Sequence, residues 1–464
     1  MHRYTPLILA VALFMEQMDS TVISTSLPVI AADLGVGPIT LKLALTSYLV
    51  ALAVFIPLSG WLADRFNAKR VFLLAIVVFM LGSLGCALAS SLEGLVLARF
   101  LQGMGGAMMT PIGRAIVLRT ADRADFVSAI TLFTLPAVIG PMFGPVLGGF
   151  ISTYFSWEWI FLINLPIGVA GIVLTHVYID DVESPPPPPI DILGFVLSGL
   201  AASGLVFGLS VISLPALPSA WGGVSIAVGL ASALLFIGHA RRHKAPVLNL
   251  DLLAIGTFRA CQSAGTIFRV AMGAVPFLTP LMLQLVFGLS AFHSGLITFS
   301  GAFGMVFTKV VAKKVLARFG FRATLVAACA LSAMATLAYS LFTPATPYLA
   351  MVAVMVLGGF VRSFFFTGIN ILAFADIENR FMSGAAAING VFQQVSTALG
   401  IALAGLILEL APLLTGSSLG IADFHLTFLV VGAMTALAMV PVLRLPANAG
   451  ADISGHRSSL PDDQ

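Results

Sequence analysis

The residues at positions 60–70, GWLADRFNAKR, form a short polar and basic stretch between two long apolar runs. The runs cover residues 41–62 and 70–89. A helix needs about 20 mostly apolar residues to cross the hydrocarbon core of a bilayer, and both runs are long enough. The stretch is therefore the loop of a hairpin whose two helices both cross a membrane. Its basic residues, which favour a cytoplasmic position, are Arg65, Lys69 and Arg70.

The composition of the whole chain agrees with this interpretation. Of its 464 residues, 59% are hydrophobic and only 9% are charged, whereas about a quarter of the residues in a soluble domain are charged. The chain has too few polar groups to cover a water-exposed surface, so the lipid bilayer is its expected partner. The net charge of +3 arises from basic residues beside the hydrophobic runs, which argues against a separate basic patch for nucleic acid.

Fourteen apolar stretches satisfy the length requirement for a membrane-spanning helix. They cover approximately residues 6–30, 41–62, 70–89, 93–118, 125–151, 157–177, 191–213, 218–239, 258–287, 292–315, 322–342, 347–373, 381–411 and 424–444. An even number of spans places both termini on one side. Basic residues cluster in alternate loops, and the other loops contain only Lys42, so both termini are expected in the cytoplasm. The sequence predicts an all-α polytopic membrane protein with 14 transmembrane helices.

A run of five prolines, Pro185 to Pro189, marks a stiff linker between two parts of the chain. A weak internal repeat supports this division, because LADRF at residues 62–66 is similar to LARFG at residues 316–320. Duplicated six-helix halves are typical of secondary transporters. The predicted units are an N-terminal half at 1–180, a linker at 181–190, two inserted helices at 191–245, a C-terminal half at 246–446 and a cytoplasmic tail at 447–464.

Two further motifs lie in the fourth and fifth predicted spans. Arg99 begins RFLQGMGGA at residues 99–107, inside an apolar helix, where an arginine is costly unless paired and is therefore a functional candidate. The fifth span contains GPMFGPVLGG at residues 140–149. Its glycines at four-residue intervals form a smooth face for a neighbouring helix, and its prolines kink the helix and free backbone carbonyls. The motif residues are Gly140, Pro141, Gly144, Pro145, Gly148 and Gly149.

In this order, the motifs resemble those of the major facilitator superfamily, specifically its 14-span drug:proton antiporter branch. Residues 60–70 are similar to the family's G-x-L-a-D-r-x-G-r-k loop, with Asn67 in place of the usual glycine. Residues 140–149 resemble the motif that marks antiporters, and residues 157–168, WEWIFLINLPIG, resemble a motif of the 14-span branch. The resemblance covers about residues 5–445. It implies a proton-driven exporter of small molecules in the bacterial cytoplasmic membrane, working by alternating access.

Individual residues of these motifs have expected places. Gly60 is expected to permit close helix approach, and Asp64 to act as a conformational latch that accepts a hydrogen bond from an arginine or a helix N-terminus. Asn67 tolerates a left-handed turn as glycine does. Trp157 and Trp159 are suited to an aromatic belt at the outer membrane surface.

The first span contains two acids, Glu16 and Asp19, which lie three residues apart on one helical face. Asp19 is about 13 residues into the helix, roughly 20 Å and past the midplane. Neighbouring desolvated carboxylates compete for a proton, as a proton carrier requires, so this face is expected to line the central cavity. The resemblance ties Arg99 to proton transfer as well. The alternative is that the acids only hydrogen-bond to neighbouring helices.

Three more arginines and two asparagines within spans are candidates for substrate binding. Arg269 and Arg362 lie deep in the ninth and twelfth spans, whereas Arg114 is near a cytoplasmic end and can snorkel to the surface. Guanidinium groups hold carboxylates bidentately, and the spans contain few acids, which favours an anionic substrate over structural ion pairs. Asn370 and Asn389 are candidates for the same site or, alternatively, for hydrogen bonding between helices.

Other classes of function have less support. A specific metabolite importer or exchanger on the same fold is the first alternative. An intramembrane enzyme is the second, but no catalytic motif is present and no catalytic residue is predicted. Cys86, Cys261 and Cys329 are far apart and the seven histidines are scattered, so no metal site is predicted. We expect no cofactor, with the proton gradient as the energy source, and a functional monomer.

Overall fold

The computed structural model describes residues 4–120, 126–181, 189–212, 214, 218–378, 381–415, 418–446 and 448–454. These residues are largely helical and contain no β-strand. The first eight long helices are Thr5–Val22 (α1), Lys42–Phe66 (α2), Ala68–Ala87 (α3), Leu92–Thr120 (α4), Phe126–Tyr154 (α5), Asn164–Tyr178 (α6), Ile192–Val211 (α7) and Ser219–Ala240 (α8). Gly256–Leu281 forms α9. A helical stretch Ala291–Tyr339, interrupted at Gly320, comprises α10 (291–319) and α11 (321–339). The last three are Tyr348–Ala373 (α12), Met382–Thr415 (α13) and Ile421–Leu437 (α14).

The helices are long and apolar enough for a polytopic membrane protein. Thirteen stretches of the described residues meet the length and hydropathy requirements for crossing a membrane. α4 is not one of them, although its 29 residues would extend about 44 Å. It contains Arg99, Gln102 and Arg114 along its length. α4 occupies the position of the predicted fourth span, between α3 and α5. The chain therefore has the all-α membrane architecture that the sequence predicts.

Two residues with positive φ terminate helices at corresponding points of the internal repeat. Asn67, with φ of 71°, follows α2, and Gly320, with φ of 72°, follows α10. Asn67 is the only described non-glycine residue with positive φ. Its side chain also accepts a hydrogen bond from Lys69 N at 3.0 Å and so caps α3. The expected left-handed turn at Asn67 is confirmed.

The helices pack in two sets that meet along four helices. In the first set α1 packs along α5, and α4 packs along both α2 and α3. In the second, α9 packs along α13 and α10 packs along α12. The sets contact each other where α5 meets α10 and where α2 meets α13. The boundaries of the two halves stay a prediction, and residues 182–188 of the expected proline linker lie outside the described residues.

The inserted helices α7 and α8 form a hairpin, and α7 contacts both α2 and α13. Asp191 caps α7 by accepting a hydrogen bond from Gly194 N at 2.8 Å. Burial raises the pKa of the Asp191 carboxyl, but hydrogen bonds from Gly194, His239 and Val247 lower it by more, so the pKa lies below its usual range. The insertion thus lies against both sets of helices at their junction.

The expected aromatic belt is wrong in part. Trp157 is buried, and its indole Nε1 donates to Asp33 Oδ2 at 2.9 Å, so it belongs to the protein interior and not to an aromatic belt. Trp159 is exposed, as predicted. At the start of the expected cytoplasmic tail, Gly450 lies against Phe321 of α11, and the location of the tail stays a prediction. The residues from 455 onward lie outside the described ranges.

Candidate functional site

The carboxylate of Asp19 lies at the centre of a buried polar cluster. Arg99 Nη1 donates to Asp19 Oδ2 at 2.6 Å. Gln102 Nε2 and Asn164 Nδ2 donate to Asp19 Oδ1 at 2.8 and 2.7 Å. Asp19 is fully buried and Arg99 is 1% exposed. Helices α1, α4 and α6 each contribute to this cluster, so its geometry depends on how those helices are placed.

The cluster satisfies the arginine as well as the aspartate. Besides Asp19, the Arg99 guanidinium donates to Gln102 Oε1 at 2.6 Å and to Ala44 O at 3.5 Å. Its central carbon lies 4.2 Å from the centre of the Tyr48 ring, a distance at which a cation is attracted to the ring face. Burying two charges is tolerable only when such partners replace water. The pair is therefore held in one arrangement while Asp19 is ionised.

The sequence analysis expected Asp19 to line the central cavity between the two sets of helices. That expectation is wrong, because Asp19 is fully buried. Its partners on α4 and α6, together with Ser83 of α3, which accepts from Gln102 and Asn164, enclose it inside the N-terminal set. Arg99 lies on a different helix, 80 residues further along the chain than Asp19. The motif in the fourth span identified the arginine, but the amides Gln102 and Asn164 were not predicted as its companions.

Glu16 lies next to this cluster, one helical turn before Asp19, and is 3% exposed. Its Oε2 accepts from Gln17 Nε2 at 2.9 Å and from Thr110 Oγ1 at 3.1 Å. Among the described residues no Lys, Arg or His forms an ion pair with it. Glu16 is thus a buried acid with neutral hydrogen-bond partners, beside the exposed Thr110.

A second polar cluster surrounds Arg269 of α9. Its Nη2 donates to Asn370 Oδ1 at 3.0 Å and to Asn389 Oδ1 at 3.2 Å. Gln262 Nε2 also donates to Asn389 Oδ1, at 3.1 Å. Arg269 is 3% exposed, yet its Nε and Nη1 have no hydrogen-bond partner in the described structure. Three of the predicted substrate-binding residues therefore come together, around a guanidinium that retains unused donors.

The other two predicted substrate-binding arginines lie elsewhere. Arg362 precedes Asn370 on α12 by eight residues, about 12 Å along the helix. Its Nη2 is 3.7 Å from where a Cβ of Gly301 on α10 would lie, so it points toward α10. Arg114 is exposed near the end of α4. These two arginines are therefore separated from Arg269. Residue spacing in the sequence does not show such distances between different helices.

The glycine face of α5 packs against α1. A Cβ added to Gly140 would lie 3.0 Å from Met18 N, and one added to Gly144 would lie 2.9 Å from Thr21 Cβ. Gly148 meets Val22 O and Thr25 in the same way. The predicted packing surface thus has α1, the helix of Glu16 and Asp19, as its partner.

Pro145 and Gly149 connect α5 to two other elements. Thr25, at the end of α1, donates from Oγ1 to Pro145 O at 3.1 Å. A Cβ on Gly149 would lie 2.9 Å from the carbonyl carbon of Ala291, where α10 begins. Pro141 and Pro145 both lie inside α5. The α5 motif is therefore in contact with the acid-bearing helix on one side and with the C-terminal set on the other.

The junction between α2 and α3 is tied to α4 and α6. The predicted loop at 60–70 is wrong in extent, because the two helices continue through it and only Asn67 lies between them. Arg119 Nη2 at the end of α4 donates to Asp64 Oδ1 at 2.6 Å, which is the arginine contact expected of Asp64. Lys69 Nζ donates to His176 O at 3.1 Å, and Arg70 lies 3.9 Å from Asp181. These contacts link the helix ends of the N-terminal set to one another.

Gly60 and Arg65 of the same motif lie in the last two turns of α2 and differ in their surroundings. The Arg65 guanidinium carbon lies 5.9 Å from the centre of the Phe66 ring. Gly60 is exposed, and a Cβ built there would meet no atom within 4 Å. The expectation that Gly60 permits a close helix approach is therefore wrong in this conformation, since no neighbouring helix passes near it.

An ion pair at the opposite end of the helices was not predicted from the sequence. Lys42 Nζ, at the start of α2, lies 2.7 Å from Glu409 Oε2 of α13. Lys42 is fully buried and also packs against Gly405. Nearby, Gln284 Nε2 donates to Thr25 O at 2.9 Å. Both contacts join the two sets of helices. The only signal in the sequence was that Lys42 is the one basic residue assigned to the loops on the non-cytoplasmic side.

The fold and the polar interior define an integral membrane transporter rather than an enzyme. The chain matches the family model of the Major Facilitator Superfamily over residues 9–401 and 263–458, and it belongs to that superfamily. It is 37% identical over 445 residues to the multidrug resistance protein MdtD of Cronobacter sakazakii (strain ATCC BAA-894), covering 95% of this chain and 94% of the relative. It is 36% identical over 440 residues to the MdtD of Klebsiella pneumoniae (strain 342), with 95% and 92% coverage.

Comparison with solved structures supports the same fold. The crystal structure of a D-xylose-proton symporter superimposes with a TM-score of 0.70 at 16% identity, covering 97% of this chain and 99% of the symporter. This likeness extends over nearly the whole of both chains. The match to the family model confirms the predicted membership of the superfamily.

Proposed function

We propose that this protein is a proton-coupled antiporter of the cytoplasmic membrane that exports drug-like small molecules by alternating access. The relatives named multidrug resistance proteins support export of drugs. The buried pair of Asp19 and Arg99, 2.6 Å apart, is the observation that most favours coupling to protons. The protein works as a monomer with both termini in the cytoplasm, and the proton gradient takes the place of a cofactor.

Asp19 carries the coupled proton in this proposal, and Arg99 controls when it does so. While Asp19 is ionised, its attraction for Arg99 holds α1 and α4 together. Protonation removes that attraction and leaves Arg99 as a buried cation with neutral partners, which is costly. The cluster then favours a rearrangement of α1 relative to α4. Proton uptake is thereby linked to movement of the helix that packs against the α5 glycine face.

Glu16 transfers protons between Asp19 and the exposed surface near Thr110. It lies one turn from Asp19 and 3.1 Å from Thr110 Oγ1. A buried carboxylate without a cationic partner gains by holding a proton, and its neutral partners allow it to release that proton again. This route requires no charged group to cross the apolar core.

The contacts between the two sets of helices support a structure closed at the outer side. Lys42–Glu409 and Gln284–Thr25 join the sets at the end opposite the α2–α3 loop. Asp64–Arg119 instead connects two helices of the same set. Opening toward the outside requires the Lys42–Glu409 pair to separate, so this pair acts as the outer gate of the transport cycle.

A second candidate function, transport of an organic anion, is favoured by Arg269. Its Nε and Nη1 have no partner within the described residues, and burying a guanidinium with unused donors is unfavourable. A carboxylate would supply the missing acceptors in bidentate geometry. Asn370 and Asn389 would hold the guanidinium in place. Exchange of a specific anionic metabolite on this fold is the corresponding alternative to drug export.

Everted membrane vesicles with an acid interior test the proposed function. We expect a transported drug to raise the internal pH, measured by recovery of the fluorescence of a pH-sensitive dye, in vesicles with the protein. Vesicles with Arg269→Ala separate the two substrate classes. If Arg269→Ala loses the response to organic acids but keeps the response to other drugs, transport of an organic anion through Arg269 is favoured. If the wild type responds to no drug and no organic acid, the proposal is contradicted.

A further inference from the structure

The inserted hairpin of α7 and α8 brings together three possible metal ligands that are distant in the sequence. Asp191 caps the start of α7, and His239 lies in the last turn of α8. His239 Nε2 is 2.7 Å from Asp191 Oδ1. Val247 N, beyond the hairpin, donates to Asp191 Oδ2 at 3.1 Å. The carboxylate therefore already joins both helices of the insertion and the segment that follows them.

His243 supplies the third group. It lies four residues after His239, and the two rings are 5.1 Å apart. One ligand atom from each of Asp191, His239 and His243 can be chosen so that all lie within 4.8 Å of one another. His243 is exposed, and its Nδ1 accepts a hydrogen bond from Ala245 N at 3.3 Å. An exposed side chain held by one long hydrogen bond can turn toward the other two ligands at the cost of that bond.

The chemistry of this set suits zinc. Two imidazoles and one carboxylate, with water as the fourth ligand, are a known type of tetrahedral zinc coordination, with bonds of about 2.0–2.2 Å. The 2.7 Å contact between Asp191 and His239 has to open slightly, and His243 has to approach. An open cleft of about 430 Å³ beside His239 and His243 gives room for that movement and for water. Arg242, which also lines the cleft, repels a dication, and the anionic Asp191 offsets that repulsion.

We infer that Asp191, His239 and His243 form a binding site for Zn²⁺ at the end of the inserted hairpin. The bound ion would clamp α7 to α8 and fix both to the segment at Val247, which leads into α9. This site is independent of the proposed proton residues on α1 and α4 and of the proposed substrate residues on α9, α12 and α13. It also differs from the expectation of no metal site, which rested on the scattered positions of the histidines in the sequence.

Equilibrium binding of Zn²⁺ to the full-length protein, purified in detergent without a polyhistidine tag, tests this inference. We expect one equivalent of Zn²⁺ to remain bound to the wild type after desalting, measured by elemental analysis. Co²⁺ in its place should give the intense visible absorption of a four-coordinate site. His243→Ala and Asp191→Asn should each weaken Zn²⁺ binding by at least about tenfold. Asparagine can still cap α7, so Asp191→Asn should preserve the fold.

His293→Ala is the matched control, since His293 is on α10 beside Ser290, and it should bind Zn²⁺ like the wild type. Because His243 is exposed, His243→Ala should fold even if His239→Ala does not. The inference is wrong if the wild type retains no stoichiometric Zn²⁺. It is also wrong if both His243→Ala and Asp191→Asn bind Zn²⁺ with wild-type affinity, because the ion would then be held elsewhere.

Discussion

Replacing Gly144 with alanine should impair transport, because it displaces the helix that contains Asp19. A Cβ at position 144 would lie 2.9 Å from Thr21 Cβ and 3.0 Å from Val22 N. Carbon atoms pack at about 3.5–4.0 Å, so α1 would have to move by roughly 1 Å. Thr21 is two residues from Asp19, and a shift of that size would lengthen the 2.6 Å hydrogen bond to Arg99 beyond the normal range.

The expected cost is that of overpacking a well-packed interface, about 1–3 kcal/mol in the free energy of unfolding. If ~1.4 kcal/mol of this cost destabilises the arrangement of helices that carries out transport, the transport rate drops about tenfold. Gly144→Leu, with its larger side chain, should abolish transport.

Thermal unfolding in detergent and substrate-driven proton movement in vesicles measure the two effects separately. Gly223→Ala on α8 is the matched control, because a Cβ there meets no atom within 4 Å, and it should behave like the wild type. Wild-type stability and transport in Gly144→Ala would refute the reasoning, since they would mean that the contact between α5 and α1 has no role in the cycle.

Three other substitutions have defined outcomes. Glu409→Ala leaves Lys42 buried without its partner and should lower the free energy of unfolding by about 3–5 kcal/mol; calorimetry that finds no loss would show that the outer pair is not formed. Arg269→Ala should weaken binding of organic acids in a competition assay while binding of organic cations is retained, and equal binding of acids by both proteins would rule out the anion site. Asp64→Asn should slow transport without loss of fold, because a neutral amide holds Arg119 less strongly; an unchanged transport rate in vesicles would contradict the latch role.

The fold was predictable because its main determinants are local. Thirteen stretches of the described residues are apolar runs of sufficient length, and the left-handed turn at Asn67 follows from a residue type that tolerates it. The α5 glycine face was predictable for the same reason, since four-residue spacing places Gly140, Gly144 and Gly148 on one side of a helix. These features need only the geometry of a single helix and the thickness of the bilayer.

The features that escaped prediction depend on how distant helices meet. Lys42 and Glu409 are 367 residues apart, and nothing in either local sequence indicates the other. The enclosure of Asp19 by amides on α4 and α6 likewise depends on packing within the N-terminal set. Gly60 is the opposite case, because its motif predicted a close contact that the structure does not contain. In this conformation Gly60 is exposed.

Proton movement during transport by Asp19→Asn tests the proposed coupling most directly. The wild type and the variant would be reconstituted in liposomes with a pH-sensitive dye inside, and Asp33→Asn, which removes an acid of the same N-terminal segment outside the cluster, is the control. Exchange of labelled for unlabelled substrate, which needs no net proton transfer, shows whether each protein is folded and binds. We predict that Asp19→Asn retains this exchange but no longer changes the internal pH when substrate is added, while Asp33→Asn does both. Substrate-driven pH changes in Asp19→Asn at the wild-type rate would contradict the assignment of the coupled proton to Asp19.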